Sequence, residues 1–123
     1  MRVESRVNRV VIQKIIDYCA EIEDYKNQVN ATFEVYLSNK MFRRAVDMNV
    51  LQIGELTKRL SDDFRAAHPE IPWREIKGLR NVLVHEYENV DLESAWNDLT
   101  KSVPELQAWL EKILAAEAAT NEN

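Results

Sequence analysis

The sequence predicts an all-α fold, an antiparallel helical bundle of four main helices with short helical turns between them. Three observations lead there. Two glycines and three prolines in 123 residues are too few for the many turns of a β-sandwich or barrel. Apolar residues recur at three- and four-residue spacing along most of the chain. A composition 46 % hydrophobic and 30 % charged is that of an ordinary globular chain, and the length suits one domain.

The first helix is expected over residues 5–27, where Val7, Val10, Val11, Ile15, Tyr18, Cys19 and Ile22 form the apolar stripe. QVNATFEVYLSN opens on β-branched and Asn residues and then allows a short helical turn. A second long helical pattern runs over 39–67, with Met41, Phe42, Val50, Ile53, Leu56, Leu60 and Phe64 among its apolar positions. Ser38 is its expected N-cap. Gly54 inside it costs about 1 kcal/mol relative to alanine, which points to a close approach of another backbone there. HPEIPW breaks the pattern with two prolines, and residues 73–87 form a short helical stretch. Asn89 and Asp91 mark a turn, with Asp91 as cap of a last helix to about residue 116. Pro104 inside that helix should kink or divide it. A single domain over 1–118 with a frayed tail at 119–123 is the expected organisation.

Several classes are excluded by composition. No run of about 18 apolar residues exists to span a membrane. MRVESRVNRVV is charged throughout and has no apolar secretory core. A lone cysteine, Cys19, fits a reducing cytoplasm, and with two histidines it is too little for a structural zinc site. No metal or cofactor is implied. The net charge of −5 speaks against general nucleic-acid affinity, but it is unevenly spread. Residues 38–80 hold nine Lys/Arg against six Asp/Glu, whereas from residue 81 onward two Lys face nine acids. A basic middle can still offer phosphates a favourable local field.

The chemistry concentrates in RNVLVHEY, residues 80–87. On an ideal helix at 100° per residue, Ile76, Leu79, Val82 and Leu83 share the core-facing arc. Asn81 and His85, four apart, stack on the opposite side near Gly78, and Arg80 at the edge can swing toward that polar seam. An exposed Asn and His also occur on helices that do nothing with them, and a helix C-terminus stabilises histidine without catalysis. Cleaving RNA without a metal needs a base for the ribose 2′-OH, an acid for the leaving 5′ oxygen, and a cation for the transition-state charge. One chain brings a single histidine to the seam. Two chains meeting about a two-fold axis would bring two His85 and two Arg80.

RNVLVHEY fits the pattern R-x4-H-x-Y, and with it the chain resembles the HEPN-domain proteins, in particular the HepT toxin group encoded beside a minimal nucleotidyltransferase. The resemblance extends through LQIGELTKRLSDDFRAAHPEIPWREIKGLRNVLVHEY, including the IGE segment and the HPEIPW turn, and covers nearly the whole chain. It implies a helical homodimer with the motifs meeting across the interface, and a metal-independent ribonuclease acting as the toxin of a toxin–antitoxin pair. It makes Arg80 and His85 the catalytic pair, places Asn81 at the polar position after the arginine, and makes Tyr87 the tyrosine to which the partner nucleotidyltransferase can transfer AMP. From a different class, the same seam could belong to a non-catalytic helical module that binds and positions a nucleotidyltransferase. A plain dimerisation domain makes less use of it.

Other residues carry simpler readings. His68 is a helix-end residue before Pro69. Trp73, Trp96 and Trp109 fall among apolar positions and are core or interface side chains. Cys19 is an inert buried thiol, and Glu55 is expected to face a second chain.

Overall fold

A computed structural model describes residues 6–81 and 91–121 of the chain. The described elements are α1 (Arg6–Val29), α2 (Phe33–Ser38), α3 (Lys40–Thr57), α4 (Asp62–Ala67) and α5 (Trp73–Gly78), then a 3-10 turn (Leu79–Asn81). After residue 91 come α6 (Leu92–Asn97), a π-helical turn (Asp98–Ser102) and α7 (Val103–Asn121). The all-α bundle expected from the sequence is what forms, with no strand among the described residues.

Helix α1 packs along α3 and α7. It buries Val11, Ile12, Ile15, Cys19 and Ile22 at 3.6-residue periodicity. It runs past residue 27 because its terminator is Asn30, whose φ of 49° is left-handed. There the Ala31 N–H reaches back to the Lys26 carbonyl at 3.0 Å, the bond of a Schellman-type end.

Two expectations are corrected in the next segment. Ser38 does not cap α3. Its hydroxyl donates to the Glu34 carbonyl at 2.8 Å and closes α2, while the Asn39 side chain accepts from the Phe42 N–H at 3.0 Å. The pattern over 39–67 is also two helices rather than one. Leu60 and Phe64 are both buried, so the apolar rhythm continues through the break and conceals it. What breaks the helix is Ser61. Its hydroxyl accepts from the Phe64 N–H at 3.1 Å, and Asp62 and Asp63 occupy the first turn of α4, a standard helix start. Asn8 of α1 fixes the spot by donating to the Ser61 hydroxyl and accepting from the Ser61 N–H, both at 3.1 Å.

At the other end of α3 the core contains a polar group. Asp47 is 1 % exposed and accepts from the Tyr36 hydroxyl at 2.7 Å. Arg43 donates to the Tyr36 and Leu37 carbonyls at 3.1 and 2.8 Å, tying α2 to α3. Tyr36→Phe keeps the ring but removes that donor to a buried carboxylate. Hydrogen bonds to charged groups contribute about 1.5–3 kcal/mol, so a loss in that range is expected in urea unfolding. A loss below about 0.5 kcal/mol would show that the bond contributes only what an exposed one does.

Asp91 caps α6 as expected, accepting from the Ser94 N–H at 3.0 Å, with a left-handed φ of 50°. Trp96 packs against Tyr36 at 5.5 Å and Phe33 at 6.3 Å between ring centroids, joining α6 to α2. Pro104 interrupts the last helix as predicted. The chain widens into the π turn just before it, where the Val103 N–H reaches the Asp98 carbonyl. Helix α7 then continues past residue 116 to Asn121. Arg9 of α1 pairs with the buried Glu117 near its end.

Candidate active site

The motif begins inside the described structure and leaves it. Arg80 and Asn81 close the 3-10 turn that continues α5, whereas His85 and Tyr87 lie outside the described residues. Ile76 and Leu79, two of the four residues of the expected core-facing arc, are each 1 % exposed, while Asn81 and Gly78 face outward. Val82 and Leu83 of that arc lie outside the described residues. The helix narrows at Leu79. With about 3.0 rather than 3.6 residues per turn, the ideal-helix projection does not carry unaltered through Asn81.

The position of Arg80 is set by α3. Gly54 lies directly beneath it: a Cβ built there would stand 2.8 Å from Arg80 Cγ, 2.9 Å from the Arg80 nitrogen and 3.3 Å from the Leu79 carbonyl carbon. The close approach inferred from a glycine inside an apolar helix is therefore real, and the backbone that approaches is that of the motif arginine. The next residue grips it. Glu55 accepts a hydrogen bond from Arg80 Nε at 2.5 Å, with both side chains partly exposed at 34 % for Arg80 and 44 % for Glu55. That bond holds the Glu55 carboxyl below the usual carboxylate range, helped by the charges of Arg80, Lys58 and Arg59. Glu55, expected to face a second chain, makes this bond within its own chain while remaining 44 % exposed.

This arrangement orients the guanidinium. One of its five N–H groups is committed to Glu55, leaving four on the two terminal nitrogens, the geometry that chelates a phosphate. Sequence reasoning missed the role of Glu55. The only signal for it was adjacency, an acid directly after a glycine that had already been read as a contact point.

The remaining candidates fall where the simpler readings put them. The His68 N–H donates to the Arg65 carbonyl at 3.2 Å, ending α4. Its ring is buried 4.6 Å from Phe64 with Nδ1 at 3.2 Å from Glu70, and Nε2 has no partner among the described residues. Trp73, Trp96 and Trp109 all pack against the core. Burial pushes the Cys19 thiol up to about 12, with a further push from Glu111, so it stays protonated and inert. Among the described residues no three His, Cys, Asp or Glu side chains gather into a metal-holding group. No helix among them is long and apolar enough to cross a membrane.

Residues 15–113 match the family described as HepT-like, ribonuclease HepT-like. The chain belongs to the HepT-like ribonuclease family. It is 32 % identical over 109 residues to a protein of Thermococcus cleftensis named probable ribonuclease HepT, spanning 89 % of this chain and 97 % of that one. It is 36 % identical over 86 residues to a protein of Caldanaerobacter subterraneus subsp. tengcongensis that is provisionally named an RNase, 70 % of this chain and 77 % of that one. A Methanocaldococcus jannaschii protein with the same provisional name is 30 % identical over 115 residues, 94 % of this chain and 93 % of that one. No solved structure gives a significant match.

Proposed function

We propose that this chain is a metal-independent endoribonuclease that works as a homodimer, with Arg80 and His85 of two chains forming one composite site. One His85 takes the proton from a ribose 2′-OH, and the 2′ oxygen attacks the adjacent phosphorus. The bond from phosphorus to the 5′ oxygen then breaks, and His85 of the partner subunit protonates the departing oxygen. The products are a 2′,3′-cyclic phosphate and a free 5′-hydroxyl. Arg80 stabilises the added negative charge on the phosphorane-like transition state, and Asn81 orients one of the reacting groups. The observation that carries this reading is the bond that Arg80 Nε donates to Glu55, which leaves the terminal nitrogens of the arginine for a phosphate. Family membership and the name of the Thermococcus relative support the same reaction class.

The physiological role in this reading is that of the toxin in a toxin–antitoxin pair. A cognate minimal nucleotidyltransferase transfers AMP from ATP to Tyr87: the phenol loses its proton, its oxygen bonds the α-phosphorus, and pyrophosphate leaves as the α–β anhydride bond breaks. The added phosphate carries negative charge and the nucleotide carries bulk, so it competes with RNA for Arg80 and blocks the strand's approach. The support is the fit of residues 80–87 to R-x4-H-x-Y, with Tyr87 two residues beyond the histidine.

The test uses the chain purified without a partner, its intact mass confirming an unmodified Tyr87. A single-stranded RNA is expected to be cut in EDTA to 2′,3′-cyclic phosphate ends, and the all-2′-deoxy strand of the same sequence to stay whole. No cleavage from an unmodified dimer would overturn the reading and leave the seam as a recognition surface for the nucleotidyltransferase.

A further inference from the structure

Beside the motif, the break between α3 and α4 and the HPEIPW turn enclose a concave site of about 490 Å³. Its wall is Thr57, Lys58, Arg65, Trp73, Arg74 and Lys77, four cations and no acid. The other described cavities differ. The one beside Glu55 mixes Lys14 and Arg59 with that carboxylate, and the one along α1 sets Lys14 against Asp17 and Glu21.

The wall is part fixed and part free. Arg65 is held by the Thr57 carbonyl at 3.2 Å and by Asp62 at 2.5 Å. Trp73 commits its indole N–H to the Arg65 and His68 carbonyls at 3.1 and 3.0 Å, so it gives the cavity its apolar ring surface. Lys58 stands 3.8 Å from Glu55, a loose pairing between exposed groups. Arg74 and Lys77 are exposed and form no ion pair among the described residues. Spaced by three, they share a face of α5, and three residues further on stands Arg80. At about 1.5 Å rise per residue along α5 and about 2.0 Å in the 3-10 turn, Arg74 and Arg80 are roughly 10 Å apart along the axis, a span that holds more than one phosphate of a nucleic-acid strand.

We propose that this cavity is a docking subsite for the phosphodiester backbone of the RNA strand, on one side of the bond presented to Arg80. Arg74 and Lys77 neutralise phosphates flanking the scissile one, and the Trp73 ring is the apolar floor beneath a ribose or base. The site answers a difficulty posed by the composition. A chain with net charge −5 repels RNA at long range, so binding depends on cations close to the strand. At physiological salt the Debye length is about 8 Å, so a phosphate seated among these four side chains feels mainly the charges within about that distance. The inference rests on the ribonuclease reading for the identity of the strand, but its test does not depend on catalysis.

The test is fluorescence anisotropy with a labelled 20-nucleotide single-stranded RNA of mixed sequence, in a His85→Ala background so that the strand survives. Arg74→Gln/Lys77→Gln is compared with Lys40→Gln/Lys101→Gln, which removes the same charge from exposed positions outside the cavity. The cavity variant is expected to bind about tenfold more weakly at low salt and to flatten the slope of log K against log salt by about 1.4, two single-strand contacts at about 0.7 each. The control is expected to bind as the parent does. Equal weakening by both pairs would overturn the subsite, as would unchanged binding by the cavity pair or no binding by the parent. If the wild type fails to cut RNA while the cavity pair still loses binding, the nuclease reading falls and the subsite stands. If the wild type cuts and the cavity pair binds normally, only the subsite falls.

Discussion

Arg80→Ala is expected to lower RNA cleavage by about 10²–10³-fold, the loss seen when one preorganised donor to a developing oxyanion is removed. His85→Ala is expected to lose at least as much, because in the proposed two-fold site it removes both the proton acceptor and the proton donor. Fold stability should change little with Arg80→Ala, since the Glu55 partner it leaves is exposed and can be solvated. Arg80→Lys is the informative companion. Lysine keeps the charge, but a point-like ammonium cannot bond Glu55 and chelate a phosphate with a separate pair of N–H groups, so little activity should return. Full activity in Arg80→Lys would show that only charge matters at this position. The pH profile separates the two parts of the site. The folded Glu55 carboxyl is held below its ordinary range, so its pairing with Arg80 is intact above that range and is lost only as the pH falls through the lowered value. An inflection in cleavage between pH 5 and 8 therefore belongs to histidine, whose unperturbed value is about 6.5, and should persist in Glu55→Gln. Its disappearance in that variant would assign the titration to the pair instead.

What could be read in the sequence, and what could not, divides along physical lines. Helix existence was legible because burial imposes a period: Val11, Ile15, Cys19 and Ile22, or Leu99, Val103, Leu106 and Leu110, can only be covered together on one face. Pro104 was legible because a missing N–H cannot continue a helix through its interior, and α7 starts at Val103 so that the proline falls in the first turn, where no partner is needed. The end of α3 was not, since Leu60 and Phe64 keep the apolar rhythm while Ser61 restarts the helix with help from Asn8, more than 50 residues away. Ser38 and Asn39 are both good caps in isolation, and only the bond from Ser38 to Glu34 decides between them. At the site, spacing located the polar face of α5, but the helix tightened at Leu79, which depends on how α5 meets α3. Glu55 was invisible as the holder of Arg80 for the same reason: the bond joins residues 25 apart, and spacing arguments reach one or two turns. The basic cavity shows the same limit. Its four cations come from the residue after α3, from α4 and from α5, so along the sequence they register only as a small surplus of positive charge.

Gly54→Val is expected to destabilise the protein and silence it together. Removing the glycine brings a modest gain, because valine is a better helix former by a few tenths of a kcal/mol. Against that stands the contact with the motif. Arg80 Cγ, at 2.8 Å from the built Cβ, belongs to a flexible side chain and can move, but the Arg80 nitrogen at 2.9 Å and the Leu79 carbonyl carbon at 3.3 Å are backbone. To make room, the whole 3-10 turn must lift off α3, and Leu79, 1 % exposed, must partly leave the core with it. Overpacking of this kind costs about 1–3 kcal/mol and occasionally more, which outweighs the propensity gain. A net loss near the top of that range would lower the melting temperature of a chain this size by about 10 °C. The displacement also carries Arg80 away from Glu55, so cleavage should fall even at temperatures where the variant is fully folded. Gly78→Ala is the matched control. A Cβ there meets nothing within 4 Å, so the substitution gains helix propensity without steric cost and should stabilise by up to about 1 kcal/mol. Thermal melts of the two variants, with RNA cleavage measured well below the lower transition, read both effects at once. A Gly54→Val protein that melts with the wild type and cuts RNA normally would mean that the turn bearing Arg80 does not need its seat on α3.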